Sequence, residues 1–135
     1  MYSSIKSAII SKLQGITGLQ AVYGYEKGVL EYPAATVTLD GINTVYETNG
    51  EDERKYSFKV RIYQEMEADA AGASEAEEML EDLIDSVLDA FENDYDLGGL
   101  CHRVNINGMA GYVDRGTNHR VLEFTIDCYK LYSLS

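Results

Sequence analysis

The residues most suggestive of chemistry in this chain follow its acidic middle. Asp94, Asp96, Gly98 and Gly99 stand at a spacing that resembles the opening of a calcium-binding loop. Such a loop takes oxygen ligands at its first, third and fifth positions and a bidentate glutamate at its twelfth. Here the fifth position is Gly98 and the twelfth is Asn105, so two ligands are missing. Asp94 and Asp96 read instead as helix-end and turn residues. Cys101 and His102 are adjacent, and neighbours on a strand point to opposite faces, so these two form no thiol–imidazole dyad. Cys101 and Cys128 read as small, reduced core residues, and His119 beside Asn118 as a loop residue. The sequence contains no phosphate-binding glycine loop, zinc-type cysteine spacing or His-Glu-x-x-His helix. The reading is of a protein that is not an enzyme, with no catalytic, cofactor-binding or metal site.

The acids themselves are the larger signal. From Ile62 to His102 there is no lysine or arginine, yet this stretch holds thirteen of the chain's 23 acids. Its centre predicts a long amphipathic helix over 74–93, capped by Ser74 with Glu77 three residues on. Met79, Leu80, Leu83, Ile84, Val87, Leu88 and Phe91 fall on one face at helical spacing. Glu78, Glu81, Asp82, Asp85, Asp89 and Glu92 fall on the other. Like charges four apart cost roughly 0.2–0.5 kcal/mol per pair. Such a face therefore serves solubility, a cationic partner or the repulsion of an anion. Di-iron bundles also use helical carboxylates, but theirs face inward beside a Glu-x-x-His motif, which is absent here.

With 135 residues the chain fits one domain, 1–135, and hydrophobic content of 45% is ordinary for a globular protein. A net charge of −12 argues against binding nucleic acid through its phosphates and against docking to an anionic membrane. The longest aliphatic stretch, Ala8-Ile9-Ile10, is too short to span a bilayer and no signal-peptide pattern leads it, so a cytoplasmic protein is expected. Eleven tyrosines stand beside three phenylalanines and no tryptophan. A single tyrosine needs no more explanation than a half-exposed strand. The set points to interfaces, where tyrosine is enriched.

The elements that must position these residues read in order. Ser3 or Ser4 can cap a first helix whose Ile5, Ala8, Ile9 and Leu13 form an apolar stripe, with Gly15 as its stop. Residues 18–32 read as an irregular connector ending at Pro33. A strand follows, with Ala35, Val37 and Leu39 alternating against Thr36 and Thr38. Asn49-Gly50 marks a turn, and residues 43–55 read as a long, mobile hairpin arm. The clearest strand comes next: Tyr56, Phe58, Val60 and Ile62 point one way, while Ser57, Lys59, Arg61 and Tyr63 point the other. Residues 65–73 read as a mobile linker into the acidic helix. Two further strands are expected around 101–106 and 120–132. The expected fold is α+β: a mainly antiparallel four-stranded sheet with two helices on one face, in the order helix-strand-strand-helix-strand-strand.

The ordered segments resemble the tail terminator, or head–tail joining, proteins of long-tailed bacteriophages and related prophages. The resemblance is carried by the first helix ending in Leu13-Gln14-Gly15-Ile16-Thr17-Gly18-Leu19, by Tyr32-Pro33-Ala34-Ala35-Thr36-Val37-Thr38-Leu39, and by residues 54–63. Residues 76–91, Leu97-Gly98-Gly99-Leu100 and the alternating C-terminal strand complete it, so that it covers nearly the whole chain. It implies a structural subunit of a ring, typically hexameric, that caps the tail tube and docks to the head connector. Its partners are then copies of itself, the tail tube protein and the connector, in the virion neck after assembly in the host cytoplasm. DNA passes through without being bound specifically, and no cofactor or membrane is involved. On the arm, Tyr46, Arg54 and Lys55 are the expected contact residues. A reading of a different class is an acidic inhibitor that mimics nucleic acid and occupies a cationic groove on another protein.

Overall fold

Strict alternation along one central strand organises the architecture. The computed structural model describes the backbone of residues 2–25, 33–48, 51–65, 70–94, 96–114 and 119–133, and their side chains except at 45–48, 51, 65, 70–77, 79, 113–114 and 133. The elements are α1 (Tyr2–Gln14), β1 (Ala21–Tyr23), β2 (Ala34–Thr48), β3 (Glu51–Glu65), α2 (Ala70–Glu92), β4 (Arg103–Asp114) and β5 (His119–Ser133). They form an α+β fold whose five-stranded sheet has the order β1-β2-β3-β5-β4. β3 lies at its centre, antiparallel to β2 on one side and to β5 on the other.

Every second residue of β3 enters the core. Tyr56, Phe58, Val60 and Ile62 are buried on one face, in register with Cys128, Ile126, Phe124 and Leu122 of β5. Ala35 and Val37 of β2 extend the same surface. Both helices pack onto it. α1 contributes Ile5, Ile9 and Leu13, spaced four apart, and α2 contributes Leu80, Leu83, Val87 and Phe91. The Tyr2 ring stacks on Phe58 with centroids 5.4 Å apart. Gly18, between α1 and β1, has a φ of +107°, and a Cβ there would sit 3.3 Å from Leu83 Cδ2. Only glycine turns the chain this way so close to α2.

The expected four-stranded antiparallel sheet is corrected to five strands of mixed direction. The connector contains β1, which runs parallel to β2 and pairs Val22 with Ala35. Three residues are too few to show an alternation, so this strand is recruited by its neighbour, helped by the hydrogen bond from Gln20 N to Pro33 O at 2.8 Å. The acidic helix begins at Ala70, so Ser74 lies inside its first turns and is no cap. Of the expected linker, residues 70–73 belong to the helix, and residues 66–69 lie outside the described residues. α1 similarly takes in Ser3 and Ser4, and β5 takes in His119, whose ring meets Tyr63 edge-on at 5.9 Å.

The expected arm is present, but along its described length it is not a free hairpin. β2 and β3 stay paired out to Thr48 and Glu51, and β5 runs beside them to its end, pairing Lys55 with Tyr129 and Glu51 with Ser133. The arm is thus the far half of a three-stranded ribbon, and the Asn49-Gly50 tip lies outside the described residues. The helices do not cover this half fully. Leu39 and Ile42, opposite Phe58 and Tyr56, are 51% and 47% exposed.

Phe58 and Leu39 share one row of the sheet and differ only in what lies above them. Phe58→Ala is therefore expected to cost about 3–5 kcal/mol in urea unfolding. Leu39→Ala is expected to change stability by less than about 0.5 kcal/mol. Equal losses would place the helical layer over both.

Candidate interaction surfaces

Three surfaces gather the charged and polar groups, and each is set by an element's geometry. The first is the outer face of α2. Glu78, Glu81, Asp82, Asp85, Asp89 and Glu92 are all exposed, as the helical spacing predicts. None of the six has an ion-pair partner among the described residues. The last turn of α2 contains no basic residue, and Asp89 and Glu92 stand near the helix C-terminus, where the backbone dipole already presents negative charge. The helix tolerates this repulsion because its other face is held in the core. Just beyond it, Lys12 Nζ meets Asp94 Oδ2 at 2.9 Å, and Asp94 Oδ1 accepts a hydrogen bond from Gly98 N at 3.0 Å. Lys12 first, and then the Gly98 amide, hold the Asp94 carboxyl below its ordinary range. Asp94 is thereby a turn-closing residue, and among the described residues no group of His, Cys, Asp and Glu is arranged to hold a metal.

The second surface is the face of the sheet opposite the helices. β3 turns Ser57, Lys59 and Arg61 to it, and β5 answers with Asp127, Thr125 and Glu123 in register. Glu123 is the hub. It accepts from Arg61 Nε at 2.9 Å, from Lys59 Nζ at 3.3 Å and from the Tyr112 hydroxyl of β4 at 3.3 Å. Lys59 also lies 3.8 Å from Asp40. The Arg61 hydrogen bond, aided by Lys59, holds the Glu123 carboxyl below the usual carboxylate range. Partial burial, and then the Glu123 charge, push the Tyr112 phenol up. A second group is Ser57, whose Oγ donates to Asp127 Oδ1 at 2.6 Å, with the Asn107 amide donating to the other carboxylate oxygen. A serine that gives its proton to a carboxylate already shared with an amide holds strands together. Activating it would take a base such as histidine, and the described contacts of this group contain none.

The third surface is the arm. The Arg54 guanidinium lies 4.2 Å over the Tyr132 ring and 3.8 Å from Asp52. Burial, followed by the hydrogen bond to Tyr56 at 2.8 Å, pushes the Tyr132 hydroxyl up to about 12. On the other side of the ribbon, Arg103 stacks on Tyr129 at 4.0 Å and His102 Nε2 meets Glu53 Oε2 at 2.9 Å. Arg54 and Lys55 are consecutive strand residues and so face opposite sides. The three expected contact residues therefore do not form one patch. Tyr46 stands opposite Asp52 in the register, with its side chain outside the described residues.

Cys101 and Cys128 are both buried and both free. Their mutual hydrogen bond, together with burial, pushes the Cys128 thiol up, which keeps it protonated and inert. Neither the Glu123 hub nor the His102–Glu53 pair is legible from the sequence. The alternation marks which residues face away from the core, but only the register says which of them meet. Compared with known proteins, the chain matches no protein-family model and no curated protein.

A depressed carboxyl pKa contributes stability that is fully present above the unfolded value, about 4.3, and is lost as pH falls through the lower native value. Glu123→Gln is therefore expected to lower the urea midpoint near neutral pH. As pH falls below the native pKa of Glu123, the variant and parent midpoints should converge. A constant offset between the two across that range would mean that Glu123 acts through packing rather than charge.

Proposed function

We propose that this chain is a structural subunit of a long-tailed phage or prophage, assembling into a ring that closes the tail tube and meets the head connector. The resemblance in segment order is the basis of the reading. The structural observation that carries it furthest is that both helices sit on one face of the sheet. The other face and the far half of the ribbon are left for contacts with neighbours. A sheet open on one side, with an arm reaching past its helices, suits head-to-tail contacts between copies, and such contacts close into rings. The cation-free acidic helix suits a neck through which DNA must slide, because every phosphate neutralised by a lysine adds salt-sensitive grip.

A second reading is favoured by one observation. Six exposed carboxylates on a single helix, with no ion pair among the described residues, also suit an acidic inhibitor filling a cationic groove. Sedimentation over a range of concentration and salt, followed by negative-stain microscopy with purified tail tubes, separates the two. The ring reading expects closed rings, or tubes capped at one end. A strictly monomeric protein that leaves tubes uncapped would overturn it. If the same monomer bound a basic protein tightly in low salt and lost it in high salt, the inhibitor reading would replace it.

A further inference from the structure

The unpaired edge of β4 adjoins a groove under α2 of about 460 Å³. Leu88 and Phe91 line it from the helix, and Val104 and Ile106 from the strand, with Glu92 at the rim. β4 is the last strand of the sheet and among the described residues pairs only with β5, so its outer edge has no strand beside it. Natural edges are commonly blunted by a bulge, and β4 has one: the register shifts between Asn107 and Ala110, where Gly108 adopts a φ of +63°. The bulge begins at Asn107, where the groove ends. The regular part of the edge, 103–107, takes in the strand residues that line it, Val104 to Asn107.

We propose that this edge and groove form a docking site for a short, extended, cationic segment of a partner protein, added to the sheet as a further strand. An added strand satisfies the edge backbone through main-chain hydrogen bonds, and alternate side chains of the guest reach the apolar floor. Charge selects the partner. Glu81, Asp85, Leu88 and Glu92 are spaced so that they share one flank of α2, the flank carrying the groove. All three of those acids are exposed and have no ion pair among the described residues. Because successive strand residues face opposite sides, a fitting guest places its apolar residues and its lysines or arginines on the same, inward-facing positions, the apolar ones over the floor and the basic ones flanking them at the acidic rim. A second copy of this chain fits poorly. It brings a net charge of −12, and many of its cations are already held: Lys59 and Arg61 by Glu123, Lys12 by Asp94, and Arg54 and Arg103 over tyrosine rings. The site does not depend on ring formation, and either outcome of the ring experiment leaves it standing.

The test uses the full chain, isotope-labelled, and a synthetic peptide of about seven residues, Lys-Thr-Val-Thr-Val-Thr-Lys, whose valines and lysines share one face and whose length spans the regular edge. Amide spectra on titration should shift at 103–107 and around Leu88, with slowed exchange of the β4 edge amides. The surface variant Glu81→Lys/Asp85→Lys/Glu92→Lys, whose side chains support no core contact, should weaken binding by about tenfold or more. The same peptide N-methylated at alternate amides should not bind, since it keeps the charge but cannot pair as a strand. Equal binding of the methylated peptide would reduce the interaction to charge alone and overturn the proposal, as would shifts confined to other surfaces. Shifts at 103–107 that grow with protein concentration in the absence of peptide would assign the edge to a second copy instead.

Discussion

Everything in this fold depends on β3 being flanked by β5 along its whole length and by β2 as far as Tyr63 while its side chains alternate without interruption through the helix-covered half. One set, Tyr56 to Ile62, is taken into the core by both helices. The other set, Ser57 to Arg61, is necessarily presented on the opposite face. Because the period of a strand is two, a slip of one residue would bury Lys59 and Arg61 under the helices. The cost of burying unpaired cations makes this register the only one compatible with the core. The Glu123 hub and the Ser57–Asp127–Asn107 group then pair the strands a second time, from the outer face.

The same economy explains how the acidic helix survives. Its outward carboxylates repel one another and the negative end of the helix dipole, at a few tenths of a kcal/mol for each close pair. Burying Leu80, Leu83, Val87 and Phe91 offsets this several times over, since each fully buried large side chain is worth about 1.5–3 kcal/mol. The charge is therefore a property the helix can carry without losing its place. It follows that the acidic face and the core face are set by different demands, and that the groove between α2 and β4 lies where the two meet.

The ribbon shows a contrasting solution. Beyond the helices the described residues form no large core, and the strands are held by stacked and hydrogen-bonded polar side chains: Arg54 on Tyr132, Arg103 on Tyr129, Tyr56 to Tyr132 and His102 to Glu53. Three of the eleven tyrosines, Tyr56, Tyr129 and Tyr132, are used here, where a ring gives contact area and a hydroxyl can reach a partner. This also accounts for the strand pairing of a segment whose sequence is rich in charge and poor in aliphatic residues.

The sequence by itself determined the two helical stripes, the exposure of the six acids on α2, and the two faces of β3 and β5, because these follow from local periodicity. It also placed Cys101 and Cys128 in the core and Asp94 in a turn. What only the tertiary structure decided are the pairings. Arg61 reaches Glu123 across 62 residues of chain and Ser57 reaches Asp127 across 70, and no local pattern encodes which outward residue stands opposite which. The same holds for β1, a three-residue strand that exists because β2 offers it an edge, and for the described part of the arm, which β5 joins as a third strand. The groove and free edge of β4 belong to this class too. They arise from how far α2 stands from the last strand, a distance set by core packing among residues far apart in the chain.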